Sequence, residues 1–128
     1  MAEMSNYLEN ALINVTLRAT SYTAPTTVYV GLYTTDPTDA NTGTECSGGA
    51  YARKSATFAA PSNGVSTTSA DITFDQASSS WGTIAYIGIL DAFTSGNLLY
   101  HTPLDSSKAI DTGDIFKIAS GSLTVTLA

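Results

Sequence analysis

The stretch LLYHTPL holds the chain's single histidine, His101, the one side chain ordinarily suited to general base work at neutral pH. Acyl transfer would need that imidazole beside a nucleophile and an orienting carboxylate. Serines and aspartates are so abundant that their presence selects no triad, and no Gly-x-Ser-x-Gly elbow occurs. His101 therefore reads as a partly exposed histidine at a strand end. Glycoside cleavage would need two carboxylates facing each other across a cleft. Asp36, Asp39, Glu45, Asp75, Asp91, Asp105, Asp111 and Asp114 fall instead in turn-like stretches. There, an aspartate commonly accepts from its own backbone.

Calcium is the ligand these acids suit best, because it takes hard oxygen donors. DANTGTE brings Asp39, Asn41 and Glu45 close in sequence, and DTGD places Asp111 three residues before Asp114. The EF-hand pattern wants glycine at its sixth position, which counted from Asp39 is Thr44, so the pattern fails. TTDPTD reads as a turn: Pro37 biases Asp36 toward extended backbone and removes a donor, and Asp36 and Asp39 cap backbone amides. Cys46 has no second cysteine, so it forms no internal disulfide and belongs to no Cys/His zinc set. With no base nearby it reads as a small loop residue. No glycine loop cradles a phosphate. On this reading no residue is assigned a catalytic, cofactor-binding or metal-ligating role, and the chain is expected to be no enzyme and to need no cofactor.

These residues hang on a chain of unusual surface chemistry. Charged residues make up 12% of the 128, about half the usual share, and Ser and Thr outnumber them more than two to one. The net charge is −6, and the five basic residues, at 18, 53, 54, 108 and 117, form no stripe. Nucleic-acid binding needs clustered cations to displace counterions, so no nucleic-acid partner is expected. MAEMSNYLEN has acids and no long apolar run, unlike a secretory signal, and no stretch approaches 18 apolar residues. The expectation is a soluble protein made in a cytosol, without a membrane partner.

Met4, Leu8, Ala11, Leu12 and Val15 repeat with helical period, which predicts an α-helix over about 6–18. Ser5 or Asn6 can cap it, and Asn6 to Glu9 has capping-box spacing. Such a helix either closes one end of the β-domain or docks on a neighbouring subunit. After TSYTAPT the period becomes two, predicting strands at about 27–34, 50–58, 68–74, 81–91, 97–102, 114–119 and 122–127. Gly-, Pro-, Asn- and Ser-rich linkers, LDSSKAIDTGD among them, separate these strands.

The expected fold is mainly β: an antiparallel sandwich or barrel of about seven strands with one N-terminal helix, all in one domain over 1–128. WGTIAYIGIL is the most apolar run, with Trp81, Thr83, Ala85, Ile87 and Ile89 on one face and Gly82, Ile84, Tyr86, Gly88 and Leu90 on the other. VYVGLY and AYIGIL share a Tyr-x-Gly pattern. SLTVTLA alternates with Leu123, Val125 and Leu127 inward, and suits a sheet edge. Seven tyrosines, several in or beside strands, are consistent either with packing across a sheet or with contact surfaces.

With catalysis unsupported, a binding or assembly role remains. NYLENALINVTLRATSYTAPTTVYVGLYTTDPTD, GGAYARKSATF, SSWGTIAYIGILDA, GNLLYHTPL and GDIFKIASGSLTVTLA, in that order, resemble a family of small virion structural proteins of tailed bacteriophages. The resemblance spans nearly the whole chain. Members are labelled capsid cement (decoration) proteins or tail fibre proteins, and no catalytic residue carries over. The resemblance implies a virion component. The chain has no repeat and no heptads, which a long shaft would need. The expectation is therefore a capsid cement protein on the outer surface of the head, binding the major capsid protein and stabilising the assembled shell by mass action. It would pair with itself as a homo-oligomer, a trimer among the allowed states. The alternative is a tail fibre or tail-associated protein involved in host attachment.

Overall fold

The computed structural model describes residues 2–127. In chain order the elements are β1 (Glu3–Met4), α1 (Asn6–Leu17), β2 (Val28–Tyr33), β3 (Lys54–Ala56), β4 (Val65–Thr67), β5 (Ile72–Thr73), β6 (Gly82–Leu90), β7 (Leu98–Ile110), β8 (Lys117–Ile118) and β9 (Thr124–Thr126). The fold is mainly β and antiparallel with a single helix near the N-terminus, as expected, and its sheets do not close into a barrel. No helix among the described residues is long and apolar enough to cross a membrane.

Helix α1 starts where Ser5 takes an extended conformation and its Oγ accepts the Leu8 N–H at 3.2 Å. The same hydroxyl donates to the Leu98 carbonyl, and the Ser5 N–H donates to the Leu99 carbonyl at 2.9 Å. Ser5 thus caps the helix and pins it to β7. The cap falls one residue before Asn6, so Leu8, not Glu9, occupies the capping-box position. The anticipated apolar stripe is only partly used. Leu8 is buried, whereas Val15 is 40% exposed, and Ile13 and Leu17 are 53% and 79% exposed.

The main sheet has the order β1-β7-β6-β2-β3. VYVGLY and AYIGIL, alike in sequence, pair with each other, with Gly31 opposite Gly88 and Tyr33 opposite Tyr86. A Cβ on Gly88 would lie 2.7 Å from Tyr33 Cε1, so the glycine makes room for the Tyr33 ring. Two antiparallel ribbons, β4-β9 and β5-β8, contribute Ile72, Ile118 and Val125 to the core. These pack with Val30, Leu32, Ile84, Ile87, Ile89 and Ile110 of the main sheet. Phe74, Trp81 and Phe116 join them through edge-to-face aromatic contacts at 5.8 and 6.5 Å. A smaller cluster of Tyr33, Leu90 and Leu98, with Tyr86 against it, lies apart from this core.

Several expectations need correction. Strand β7 runs to Ile110, through a stretch read as linker, because Gly82, Thr83 and Ile84 pair with Ile110, Ala109 and Lys108. Polar Asp105, Ser106 and Ser107 hid that strand from a pattern search. Between Ile84 and Tyr86 the pairing jumps from Lys108 to Pro103, two steps on β6 against five on β7. Strict alternation fails at this irregularity, so Ile84 joins Ile87 and Ile89 in one core, not Gly88 and Leu90. The run expected as a strand from 50 begins only at Lys54. Gly48, Gly49 and Ala50 all have positive φ, and the Tyr51 N–H closes a turn onto the Gly48 carbonyl at 2.9 Å. Strands β1 and β4 were not anticipated; each is too short to show a period. Leu127, expected inward, is 41% exposed.

Candidate functional site

His101 does not lie at a strand end. It sits within β7 and is 5% exposed, against the expected partial exposure, because the strand continues past it and the segment after β2 folds over it. Three carboxylates from two other parts of the chain surround its ring. Glu3 is its direct cross-strand partner in the β1-β7 pair, with Oε2 3.9 Å from Nε2. Asp39 Oδ1 lies 2.8 Å from the same nitrogen, a hydrogen bond. Asp36 Oδ1 lies 3.8 Å from Nδ1. The turn that presents both aspartates is locally specified. Asp36 accepts the Thr38 N–H at 2.9 Å, Thr38 takes positive φ, and the Thr42 N–H donates to the Pro37 carbonyl at 2.6 Å. The Asp39 carbonyl accepts the Asn6 N–H at 2.9 Å, which locks the turn to the start of α1.

The expectation for TTDPTD is thus half right. It is a turn, and Asp36 caps an amide, but the Asp39 carboxylate serves His101. The side chains of Glu3 and Asp39 remain open to solvent, 72% and 47% exposed, above a ring that is closed off. Glu3, Asp39 and His101 each offer a ligating atom, all within 4.8 Å of one another. Neither Glu3 nor the grouping was singled out from sequence. The residues lie 36 and 62 positions apart along the chain, and only the β1-β7 register and the folded turn unite them.

A second polar cluster gathers around Glu45. The Arg53 guanidinium, 8% exposed as a residue, forms a bidentate pair with Glu45, Nε to Oε2 and Nη2 to Oε1, both at 2.8 Å. Its Nη1 donates to the Ala92 and Ser95 carbonyls at 2.8 Å each. The Tyr51 hydroxyl donates to Glu45 Oε2 at 2.6 Å and accepts the Leu32 N–H at 3.0 Å. A Cβ on Gly31 would lie 2.8 Å from Glu45 Oε2, so Gly31 admits the carboxylate. Burial, then the hydrogen bond to Glu45, raises the Tyr51 phenol well above its ordinary value. Burial and the Glu45 charge push Cys46 up to about 11.

This arrangement holds structure together. The acids considered for calcium do not converge: Glu45 is engaged by Arg53 and Tyr51, Asn41 Oδ1 accepts the Tyr33 hydroxyl at 3.1 Å, and Asp114 accepts the Asp111 N–H at 2.9 Å. Among the described residues, no hydroxyl or thiol hydrogen-bonds to His101, and both ring nitrogens face carboxylates. The nucleophile-to-base contact that acyl transfer uses is therefore not formed. Of the tyrosines considered as contact surfaces, Tyr33 is buried at 2% exposure and Tyr51 is tied into the Glu45 cluster, while Tyr7 is 41% exposed.

Over residues 3–126 the chain matches the family described as podophage GP4 fiber I protein gp80. No curated protein matches it.

Proposed function

Since the chain belongs to the podophage GP4 fiber I protein gp80 family, we propose that it serves as a non-enzymatic structural part of a phage tail fibre. The observation that carries this reading is the extent of the match, 3–126, which takes in every element from β1 to β9. The sequence leaves two phage assembly roles open, and the family description names a fibre. The capsid cement reading, with the major capsid protein as partner and the outer head surface as location, rests on the lack of a repeat and of heptads. Those features equally suit a globular module within a fibre.

The surface supports assembly and attachment. Helix α1 carries Ile13 and Leu17, one turn apart and more than half exposed, and in this reading they would pack on a second copy of the chain. A cleft of about 500 Å³ is lined by Thr102, Thr124 and Thr126 alongside apolar Leu104, Phe116 and Leu123, among others. Mixed walls of this kind offer both hydrogen bonding and apolar contact at a host surface.

Copy number per virion, measured by quantitative mass spectrometry against the major capsid protein, tests the assignment. A fibre predicts on the order of ten copies, in a closed symmetric set. On the order of hundreds would return the chain to the shell and end the fibre reading. Antibody raised against the chain should also reduce adsorption of phage to host cells.

A further inference from the structure

We propose that Glu3, Asp39 and His101 form a binding site for one divalent transition-metal cation, with Asp36 as the outer carboxylate that orients the imidazole. Three carboxylates face one imidazole, and among the described residues their sole ion-pair partner is His101. An imidazolium supplies at most one positive charge against three negative ones. A divalent cation bound to the neutral ring brings the group to a net charge of −1.

Geometry agrees. Zinc bonds nitrogen and oxygen ligands at about 2.0–2.1 Å, which sets tetrahedral ligand atoms about 3.3 Å apart. Nε2 lies 2.8 Å from Asp39 Oδ1 and 3.9 Å from Glu3 Oε2. Each distance needs a change of about half an ångström to reach that spacing. The two carboxylates that must move are the exposed ones, and the imidazole that must not move is buried. Solvent completes the coordination from the open side.

The outer contact has the usual arrangement for a ligating histidine, whose second nitrogen faces a carboxylate. Asp36 Oδ1 is 3.8 Å from Nδ1, close enough for one bridging water or a slight turn of the side chain. A mixed nitrogen and carboxylate set favours zinc and its transition-metal neighbours over calcium or magnesium, which prefer oxygen alone. The ion would staple β1, the turn at 36–42 and β7, three segments otherwise joined by hydrogen bonds.

The test uses the full chain, freed of metal with EDTA and titrated with zinc chloride, then cobalt chloride, by calorimetry, visible absorption and thermal unfolding. One zinc per chain is expected, with the melting temperature rising on the order of 10 °C at zinc 100-fold above the dissociation constant. Glu3→Gln alters an exposed side chain and should fold normally without metal, yet bind zinc at least about 10-fold more weakly; Asp39→Asn should weaken zinc binding by as much, and Asp36→Asn by about 10-fold. No zinc-dependent shift in the natural sequence would overturn the site, as would an undiminished shift in both Glu3→Gln and Asp39→Asn. Calcium or magnesium matching zinc at equal concentration would overturn the assignment to a transition metal. Binding is read on the isolated chain, so its outcome is independent of the fibre role.

Discussion

Glu45 and Arg53 show how one buried pair can govern a small β-domain. Every donor of the guanidinium named above has a partner, and the Glu45 carboxylate also takes the Tyr51 hydroxyl. Removing one member leaves the other charge buried and uncompensated, which costs far more than an exposed ion pair contributes. Glu45→Ala should therefore lower unfolding free energy by about 3–5 kcal/mol in a urea titration. A loss below about 1 kcal/mol would mean the cluster is a bystander. The same neighbourhood sets the alkaline limit of the fold. The Tyr33 phenol is pushed from 10.0 up to about 12 by burial and the Glu45 charge, and the Cys46 thiol from 9.0 up to about 11. Both groups hold their protons more tightly in the folded chain than in the unfolded one. Their contribution is fully present below about pH 9 and is lost as pH climbs through 11 and 12. Thermal melts from pH 8 upward should decline across that window, and a flat profile to pH 12 would contradict the assignment. Cys46 should also resist alkylation at pH 8 until the chain is unfolded.

At the scale of elements, helix α1 has one firm anchor and an open flank. Ser5 both caps the helix and hydrogen-bonds β7, so Ser5→Ala removes two functions of one hydroxyl and should cost about 1–2 kcal/mol. Leu17, 79% exposed, should behave oppositely: Leu17→Asp should leave the stability of the isolated chain within about 0.5 kcal/mol while weakening the self-association proposed for the fibre. Sedimentation of the two proteins separates these effects. Unchanged assembly in Leu17→Asp would remove the helix from the interface. Strand β7 carries its own test. Ile110 is fully buried at the end of the segment that looks like linker, so Ile110→Ala should cost about 2–5 kcal/mol by chemical denaturation. A loop residue would cost a few tenths.

For the whole molecule, the architecture is an asymmetric pairing of layers. One five-stranded sheet carries the long strands, and two short ribbons complete the core around its apolar residues. The long segments between strands are held by polar locks, Arg53 on the turn before β7 and Asp39 on His101. A domain built this way carries many hydroxyls and few charges. Its association should consequently depend little on ionic strength, since few charges are available to be screened. Self-association measured from low to high salt should vary modestly, and a steep fall with added salt would point to a charged interface instead.

Local pattern alone determined the class of fold, a helix beginning near residue 6 and the core strands VYVGLY and AYIGIL, because amphipathic period and side-chain branching act within a few residues. The turn at TTDPTD was legible for the same reason: proline and aspartate shape their own backbone. What lies beyond that range was decided by tertiary structure. The pairing of Lys108, Ala109 and Ile110 with β6, the change of face at Ile84 and the burial of His101 each depend on partners dozens of residues away. The grouping of Glu3, Asp36 and Asp39 around one imidazole is the clearest case. No local spacing encodes it, since it exists only when β1 and the turn after β2 close on the same stretch of β7.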